Sequence, residues 1–212
     1  MTKNEIKKIC EKYKITNYTI NNDMTIDVDG EVNLYNLGIE KLPVNFNKIN
    51  ESFYCSYNIL NTLKGCPKYV KGNFNCDDNN LDSLKYCPDY VEEYFSCSGN
   101  KLKSLKYSPD YINDDFHCDE NNLSSLKYIK KIKGNLYCDT NNIRSFNYFP
   151  IVEKEIELYD NPIDELWKLF EANEYIEYFN ELDIIIDDET TVILDRLNYF
   201  LTDIGKQEIS KD

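Results

Sequence analysis

The sequence predicts an α/β solenoid, in which the chain winds into stacked coils and short strands from successive coils pair into a parallel sheet. Two observations lead to this fold class. Cysteines recur every 20 or 21 residues between positions 55 and 138, and aromatic residues, asparagines and leucines keep the same phase around them. A period of about 20 to 50 residues is typical of repeat proteins, in which each unit packs only against its neighbours.

Each column of the repeat holds one kind of side chain. The cysteine column contains Cys55, Cys76, Cys97, Cys118 and Cys138. The aromatic column, two residues earlier, contains Phe53, Phe74, Phe95, Phe116 and Leu136. The asparagine column, three residues after the cysteines, contains Asn58, Asn79, Asn100, Asn121 and Asn141. The same register continues beyond the cysteines in both directions, with Leu37 in the asparagine slot of the first unit and Asn161 in that of the last. Seven units therefore occupy residues 28–168.

The spacing within one unit indicates how a coil is built. Phe74 and Cys76 are two residues apart, so on a strand both point to one side while Asn75 points to the other. We therefore predict one short strand per coil, with Leu81 and Leu84 lining the return path from inside. Because no coil can bury these side chains alone, stacking has to create the continuous core. The core is completed by a β-branched column, Val70, Val91, Ile112, Ile132 and Val152.

Four further features predict the turns. An asparagine amide has two donors and one acceptor, so the asparagine column is expected to bond backbone groups where the chain leaves the strand. A proline column predicts the outer turn, at Pro67, Pro88 and Pro109. The adjoining tyrosines are expected to cover that turn, Tyr69, Tyr90 and Tyr111. A basic stripe is predicted on the outward return segment, from Lys64, Lys85, Lys106 and Lys127.

The segments outside the repeats are predicted to close its two ends. In residues 1–27, Thr2 and Glu5 fit a capping box and apolar residues follow at helical spacing, which predicts a helix. The alternation around Asp29–Gly30 predicts a hairpin between Thr25 and Leu34. Two amphipathic helices are predicted around residues 169–212. Their apolar residues are Ile163, Leu166, Trp167, Phe170, Ile176 and Phe179, then Val192, Leu194, Leu197, Phe200, Leu201 and Ile204.

The pattern Phe-x-Cys-x-x-Asn-x-Leu-x-x-Leu, as between Phe74 and Leu84, resembles the leucine-rich repeat, with cysteine in a slot usually held by leucine. In tandem form it resembles the repeat proteins of bacteriophages and giant viruses. The resemblance implies a leucine-rich-repeat horseshoe with the parallel sheet on its concave face, an N-terminal helix and hairpin cap, and a C-terminal helical cap. It also implies a cytoplasmic life in an infected host cell, and it implies no particular partner.

The eight cysteines suggest metal binding, a disulfide framework, catalysis or packing. A zinc site usually pairs close ligands, as in Cys-x-x-Cys, and the sequence has no such pair. Leu34 and Leu158 occupy the cysteine slot in the outer units, so this slot accepts an apolar side chain. We therefore interpret the cysteines as small buried core residues, and we expect neither a metal nor a cofactor.

Charge and hydropathy exclude several classes of partner. The 212 residues include 24 basic and 38 acidic side chains, which give a net charge of −14. Such a protein repels nucleic acids and anionic membranes, so neither is expected as a partner. No apolar run approaches the roughly 20 residues of a bilayer span, and no secretory signal is visible. Eight cysteines without such a signal lead us to expect reduced thiols and a cytoplasmic protein.

The outward side of the predicted strands is the candidate functional site. Its positions vary among Tyr, Ser, Asn, Asp and His. Several of these residue types are common in adaptable binding surfaces. The aspartates give this surface a negative field, so we expect it to bind another protein that has a basic patch. The predicted binding residues are Tyr54, Asn75, Asp77, Tyr94, Ser96, Asp115, His117, Asp119, Tyr137 and Asp139.

An enzyme is not expected, because no residue set combines a nucleophile with a base, and the single histidine, His117, has no second base nearby. If the viral resemblance holds, binding would inhibit a host or defence protein by occluding its surface. Two alternatives stay open. In one, the C-terminal helical segment, residues 165–212, is the functional module and the repeats are its scaffold. In the other, the protein is a self-assembling structural component.

Overall fold

The chain is wound into a parallel-strand β-solenoid. The computed structural model describes residues 1–164, 167, 193–203, 205 and 207. The longest sheet has seven strands, one from each turn of the chain, so about six turns separate its first strand from its last. The repeat solenoid that the cysteine period predicts is therefore confirmed.

Two helices and fifteen short strands make up the described secondary structure. Helix α1 spans Lys3–Lys12, and helix α2 spans Leu194–Asp203. The strands, numbered in chain order, are β1 (Tyr18–Ile20), β2 (Ile26–Val28), β3 (Val32–Asn33), β4 (Phe46–Ile49), β5 (Phe53–Tyr54), β6 (Tyr69–Val70), β7 (Phe74–Asn75), β8 (Tyr90–Val91), β9 (Phe95–Ser96), β10 (Tyr111–Ile112), β11 (Phe116–His117), β12 (Lys131–Ile132), β13 (Leu136–Tyr137), β14 (Ile151–Val152) and β15 (Ile156–Glu157).

One sheet runs the length of the repeats, and we call it the long sheet. Its strands lie in the order β3-β5-β7-β9-β11-β13-β15, and every neighbouring pair is parallel. Phe53 pairs with Phe74, Phe74 with Phe95, and Phe95 with Phe116. Residues of one sequence column are thus direct neighbours across the sheet, as the repeat predicts.

Each of the seven coils contributes a second strand, so the prediction of one strand per coil is wrong. β2, β4, β6 and β8 form a parallel sheet that β1 extends, and β10, β12 and β14 pair at the equivalent place in later coils. Val70 and Val91 are buried in these strands, whereas Tyr69 and Tyr90 stack on the outside with ring centroids 5.1 Å apart. The tyrosine column therefore lies in these strands, and its cover of the outer turn stays a prediction.

The core is a stack of equivalent side chains. The rings of Phe53 and Phe74, Phe74 and Phe95, and Phe95 and Phe116 have centroid separations of 6.0, 5.1 and 5.7 Å. The cysteine column is fully buried beside these rings, which confirms its interpretation as core. Each coil thus completes the hydrophobic contacts of its neighbour, and full burial of a Phe or Leu side chain contributes about 1.5–3 kcal/mol.

The asparagine column joins neighbouring coils through hydrogen bonds. Asn79 Oδ1 accepts the backbone N–H of Leu60 in the preceding coil at 2.9 Å. Its Nδ2 donates to the carbonyl of Cys55 in that coil at 3.0 Å, and to the carbonyls of Cys76 and Asp77 in its own coil at 3.1 and 3.0 Å. The same geometry recurs at the other asparagines of the column, Asn58, Asn100, Asn121, Asn141 and Asn161. The predicted bonding of turn backbone groups is confirmed.

The N-terminal segment contains a helix and a hairpin. Both capping-box hydrogen bonds form: Thr2 N–H donates to Glu5 Oε2 at 2.6 Å, and Glu5 N–H donates to Thr2 Oγ1 at 3.3 Å. Ile6 and Cys10 of α1 are fully buried. The hairpin consists of β1 and β2, paired antiparallel. The prediction of a hairpin around Asp29–Gly30 is wrong, because these residues connect β2 to β3, which belongs to the long sheet.

The described part of the C-terminal segment includes helix α2. Leu197 and Leu201 are buried there, as the predicted apolar face requires. Trp167 packs near Phe146 and Phe149, with centroid distances of 6.0 and 6.2 Å. Ile163 is fully buried, and Leu194 is partly buried and packs against the core. The remaining predicted positions lie outside the described residues or side chains, Leu166, Phe170, Ile176, Phe179, Val192, Phe200 and Ile204.

No helix in the described ranges combines the length and the apolarity that crossing a membrane requires. The division of the chain at residues 28 and 168 stays a prediction.

We predict that Asn121→Ala lowers the free energy of unfolding by about 3 kcal/mol. The substitution removes the acceptor of Leu102 N–H and the donor to three backbone carbonyls, and buried groups left unpaired are costly. Urea denaturation followed by circular dichroism measures the change. The control is Asn122→Ala at the exposed neighbouring position. Equal stability of the two variants would contradict the assigned role.

Candidate functional site

The predicted binding residues form three parallel rows on the outward side of the long sheet. The central row is the second residue of each strand, paired in register across the sheet: Tyr54, Asn75, Ser96, His117 and Tyr137. The leading row precedes the strands and includes Tyr94 and Asp115. The trailing row follows them and includes Asp77, Asp119 and Asp139. We call these rows together the acidic face.

The side chains of the acidic face are mostly half-buried and bonded to one another. Asp77 accepts three hydrogen bonds, from Ser96 Oγ at 2.6 Å, from Ser98 N–H at 2.7 Å and from Asn75 Nδ2 at 2.7 Å. Asp119 accepts from Ser98 Oγ at 2.7 Å. These bonds fix the positions of the carboxylates, so the negative charge is held in place.

Ser96 occupies a different environment from the rest of the predicted set. Its relative exposure is only 3%, and its hydroxyl donates to Asp77. The Asp77 carboxylate that Ser96 orients therefore lies nearer the surface, while Ser96 itself lies beneath. Burial of Ser96 follows from its place in the central row between larger neighbours, which spacing alone does not reveal.

Burial raises the pKa of Asp77 above its ordinary value, against the lowering effect of its hydrogen bonds to Ser96, Ser98 and Asn75. Burial likewise raises the pKa of Asp139, which accepts a backbone N–H from Tyr159 at 2.6 Å. Both carboxyl groups thus sit where their charge is incompletely hydrated. A cation from a partner would supply the missing stabilisation.

Three aromatic rings stand at the middle of the acidic face. His117 stacks on Tyr137 with a centroid distance of 4.3 Å and an interplanar angle of 11°. On the opposite side of His117, the Tyr94 ring packs edge-on against the imidazole, with a centroid distance of 6.0 Å. Burial, followed by the nearby Tyr54, raises the pKa of Tyr94 to about 12. These contacts hold the three rings in one fixed cluster among the carboxylates.

A groove of about 360 Å³ opens beside the rings. It is lined by Tyr57, Asp77, Asp78, Ser96, Ser98, Gly99, His117, Asp119 and Glu120. Sequence reasoning missed Tyr57, Asp78 and Glu120. They occupy the corner directly before the asparagine column, where φ is positive at 55°, 49° and 51°, and their side chains line the groove beside the trailing row. The sequence signal that could have identified these three residues is their position, one residue before an asparagine of the column.

The cysteine column lies directly behind the acidic face. Cys76 donates both its backbone N–H, at 2.9 Å, and its thiol, at 3.4 Å, to the carbonyl of Ser96 in the next coil. Cys97 makes the same pair of contacts with the His117 carbonyl, at 2.9 and 3.5 Å. A leucine in this slot would lack the thiol contact. The cysteines therefore tie the backbone of the central row to the core.

No protein-family model matches the chain, and no curated protein matches it either. Function is therefore inferred from the residues of the face and their contacts.

We predict that none of the eight cysteines reacts rapidly with a thiol reagent in the native protein. Burial raises the pKa of the Cys76, Cys97 and Cys118 thiols well above its ordinary value, and the thiolate is the reactive form. The measurement is the absorbance change with Ellman's reagent at pH 8. All eight cysteines should react once the chain is unfolded in guanidinium. Fast labelling of the folded protein would show that the column is accessible.

Proposed function

We propose that the protein binds another protein, without catalysing a reaction, through the acidic face. The observation that supports this most directly is the ring group of Tyr94, His117 and Tyr137 beside the carboxylates of the groove. Preformed aromatic surfaces lose little conformational entropy on binding, and tyrosine and histidine offer both apolar area and hydrogen bonds. Such a surface is better suited to binding another protein than to enclosing a small molecule in a cavity.

The partner we propose has a basic patch. Asp77, Asp78, Asp119 and Glu120 line one groove, and no described salt bridge neutralises any of them. An arginine side chain fits this site best, because its planar guanidinium pairs with carboxylates and stacks on aromatic rings. The attraction also speeds encounter and weakens with added salt.

We also propose the finer fold that the resemblance implies, a leucine-rich-repeat horseshoe with the acidic face on its concave side and closed ends. Burial of Ile6 and Cys10 supports closure of the first coil by α1. Because strands lie about 4.7–4.9 Å apart wherever they pair, the second strand of each coil keeps the two sides of the solenoid similar in length. The curvature we propose is therefore gentler than that of a horseshoe backed by helices.

The biological setting follows from the same resemblance. We propose a cytoplasmic protein of viral origin that occludes the basic surface of a host or defence protein. An acidic face that presents carboxylates in rows at strand spacing resembles the charge of a nucleic acid. A protein that binds nucleic acids through a basic surface is therefore a suitable target.

We expect the variant Asp119→Lys/Glu120→Lys to lose partner proteins that the wild-type captures from a cell lysate. Reversal places two cations in the groove and repels a basic patch. Quantitative mass spectrometry of the captured proteins is the readout. Isothermal titration with the purified partner should then show a loss of affinity of about tenfold or more.

The matched control is Glu92→Lys/Glu93→Lys, which makes the same change in net charge at exposed positions between β8 and β9. Circular dichroism should give the same spectrum for both variants. Partners kept by the control and lost by the groove variant support the proposal. If both variants keep the same partners equally well, the acidic face is excluded as the binding site.

A further inference from the structure

A second periodic surface lies where the chain turns after the lysine column. The turn residue has positive φ in five successive coils, 100° at Gly65, then 74° at Tyr86, 79° at Tyr107, 93° at Tyr128 and 64° at Tyr148. Glycine adopts this conformation without strain, whereas a side chain makes it unfavourable. Four coils nevertheless use tyrosine where the first uses glycine.

Burial does not compensate for this backbone strain. The four tyrosines have relative exposures between 42% and 58%, so much of each ring faces solvent. Residues held in an unfavourable conformation commonly mark positions with a function. The exposed rings therefore contribute little to the hydrophobic core.

The ammonium group of a lysine lies over each of these four rings. Lys85 Nζ lies 5.1 Å from the Tyr86 centroid, and Lys106 Nζ lies 5.1 Å from that of Tyr107. Lys127 Nζ lies 5.7 and 5.0 Å from the centroids of Tyr128 and Tyr148. These distances are those of cation–π contacts, which restrict the long lysine side chains.

Lys85, Lys106 and Lys127 form no salt bridge with any described residue, although acidic residues outnumber basic ones 38 to 24. These lysines recur once per coil, and neighbouring coils are joined by strands that lie about 4.8 Å apart. We call this surface, Lys85 to Tyr148, the Lys–Tyr edge. It is a short row of unneutralised cations on a strongly acidic protein.

An apolar groove of about 540 Å³ lies at one end of the Lys–Tyr edge. Its lining is Asp110, Lys127, Tyr128, Ile129, Lys130, Tyr148, Phe149 and Ile151. Ile151 is 45% exposed there, so apolar surface is available to a ligand. Asp110 already pairs with Lys130 at 2.5 Å, which leaves Lys127 as the unpaired cation of the groove.

We propose that the Lys–Tyr edge binds an extended acidic peptide segment of a partner protein, with one large apolar side chain of that segment in the groove. The row of unpaired lysines complements successive carboxylates, and the groove complements an aromatic or aliphatic anchor. This surface and its ligand are distinct from the acidic face and the basic patch it binds, so the two interactions are independent.

Single-stranded nucleic acid is the other polyanion that aromatic and cationic side chains bind. It fits this edge less well. The rings already hold lysine ammonium groups against them, and the net charge of −14 opposes a phosphate backbone. The apolar lining of the groove also favours a side chain over a sugar.

The test uses a fluorescein-labelled peptide in which one tryptophan precedes a run of glutamates, titrated with the full chain and followed by fluorescence anisotropy. The variant Lys85→Glu/Lys106→Glu/Lys127→Glu should bind at least about tenfold more weakly than wild-type. The control variant Lys3→Glu/Lys7→Glu/Lys8→Glu makes the same charge change on the exposed side of α1 and should bind like wild-type. Circular dichroism verifies that both variants fold.

Two further probes test the groove and the occupant. Ile151→Ser should weaken binding of the tryptophan peptide by about threefold or more and leave a peptide of glutamates alone unaffected. An oligothymidylate of equal charge should bind more weakly than the peptide. No binding of the peptide to wild-type at about 1 mM, equal loss in the control variant, or tighter binding of the oligonucleotide each overturns the proposal.

Discussion

The structure depends on the hydrogen bonds by which one asparagine side chain joins two coils. Strands of two residues make few backbone bonds, and the turns that leave them would bury unpaired N–H and C=O groups. Asn100 Oδ1 accepts Leu81 N–H from the preceding coil, and its amide donates to carbonyls of both coils. The first unit has Leu37 at this place, since no earlier repeat has to be joined there.

This coupling separates the side chains that hold the coils together from those that face a partner. The asparagine, aromatic and cysteine columns keep neighbouring strands in register, so every position between them falls into a straight row. Substitution within a row changes surface chemistry without changing the core. One side of the coil thus presents fixed carboxylates and rings around His117, while a distant turn presents lysines held by tyrosines.

Much of this was predictable from the sequence because the repeat reports the register directly. The core columns, the role of the asparagines, the capping box at Thr2 and the rows of the acidic face all follow from spacing. The second strand of each coil did not, because pairs such as Tyr69 and Val70 are too short to show alternation. Tyr57 and Glu120 were missed at the groove because positive φ is expected at Gly or Asn. The burial of Ser96 was not predictable, because it arises from neighbouring coils.

Amide hydrogen exchange, resolved by residue, tests the coupling between coils most directly. The backbone N–H groups of Leu60, Leu81, Leu102 and Leu123 lie outside every strand and donate only to the asparagine side chain of the next coil. If that bond holds the coils together, these amides should exchange as slowly as the strand amide of Phe74, through global unfolding. Exchange of the leucine amides at the rate of an open loop, with the strands still protected, would contradict it.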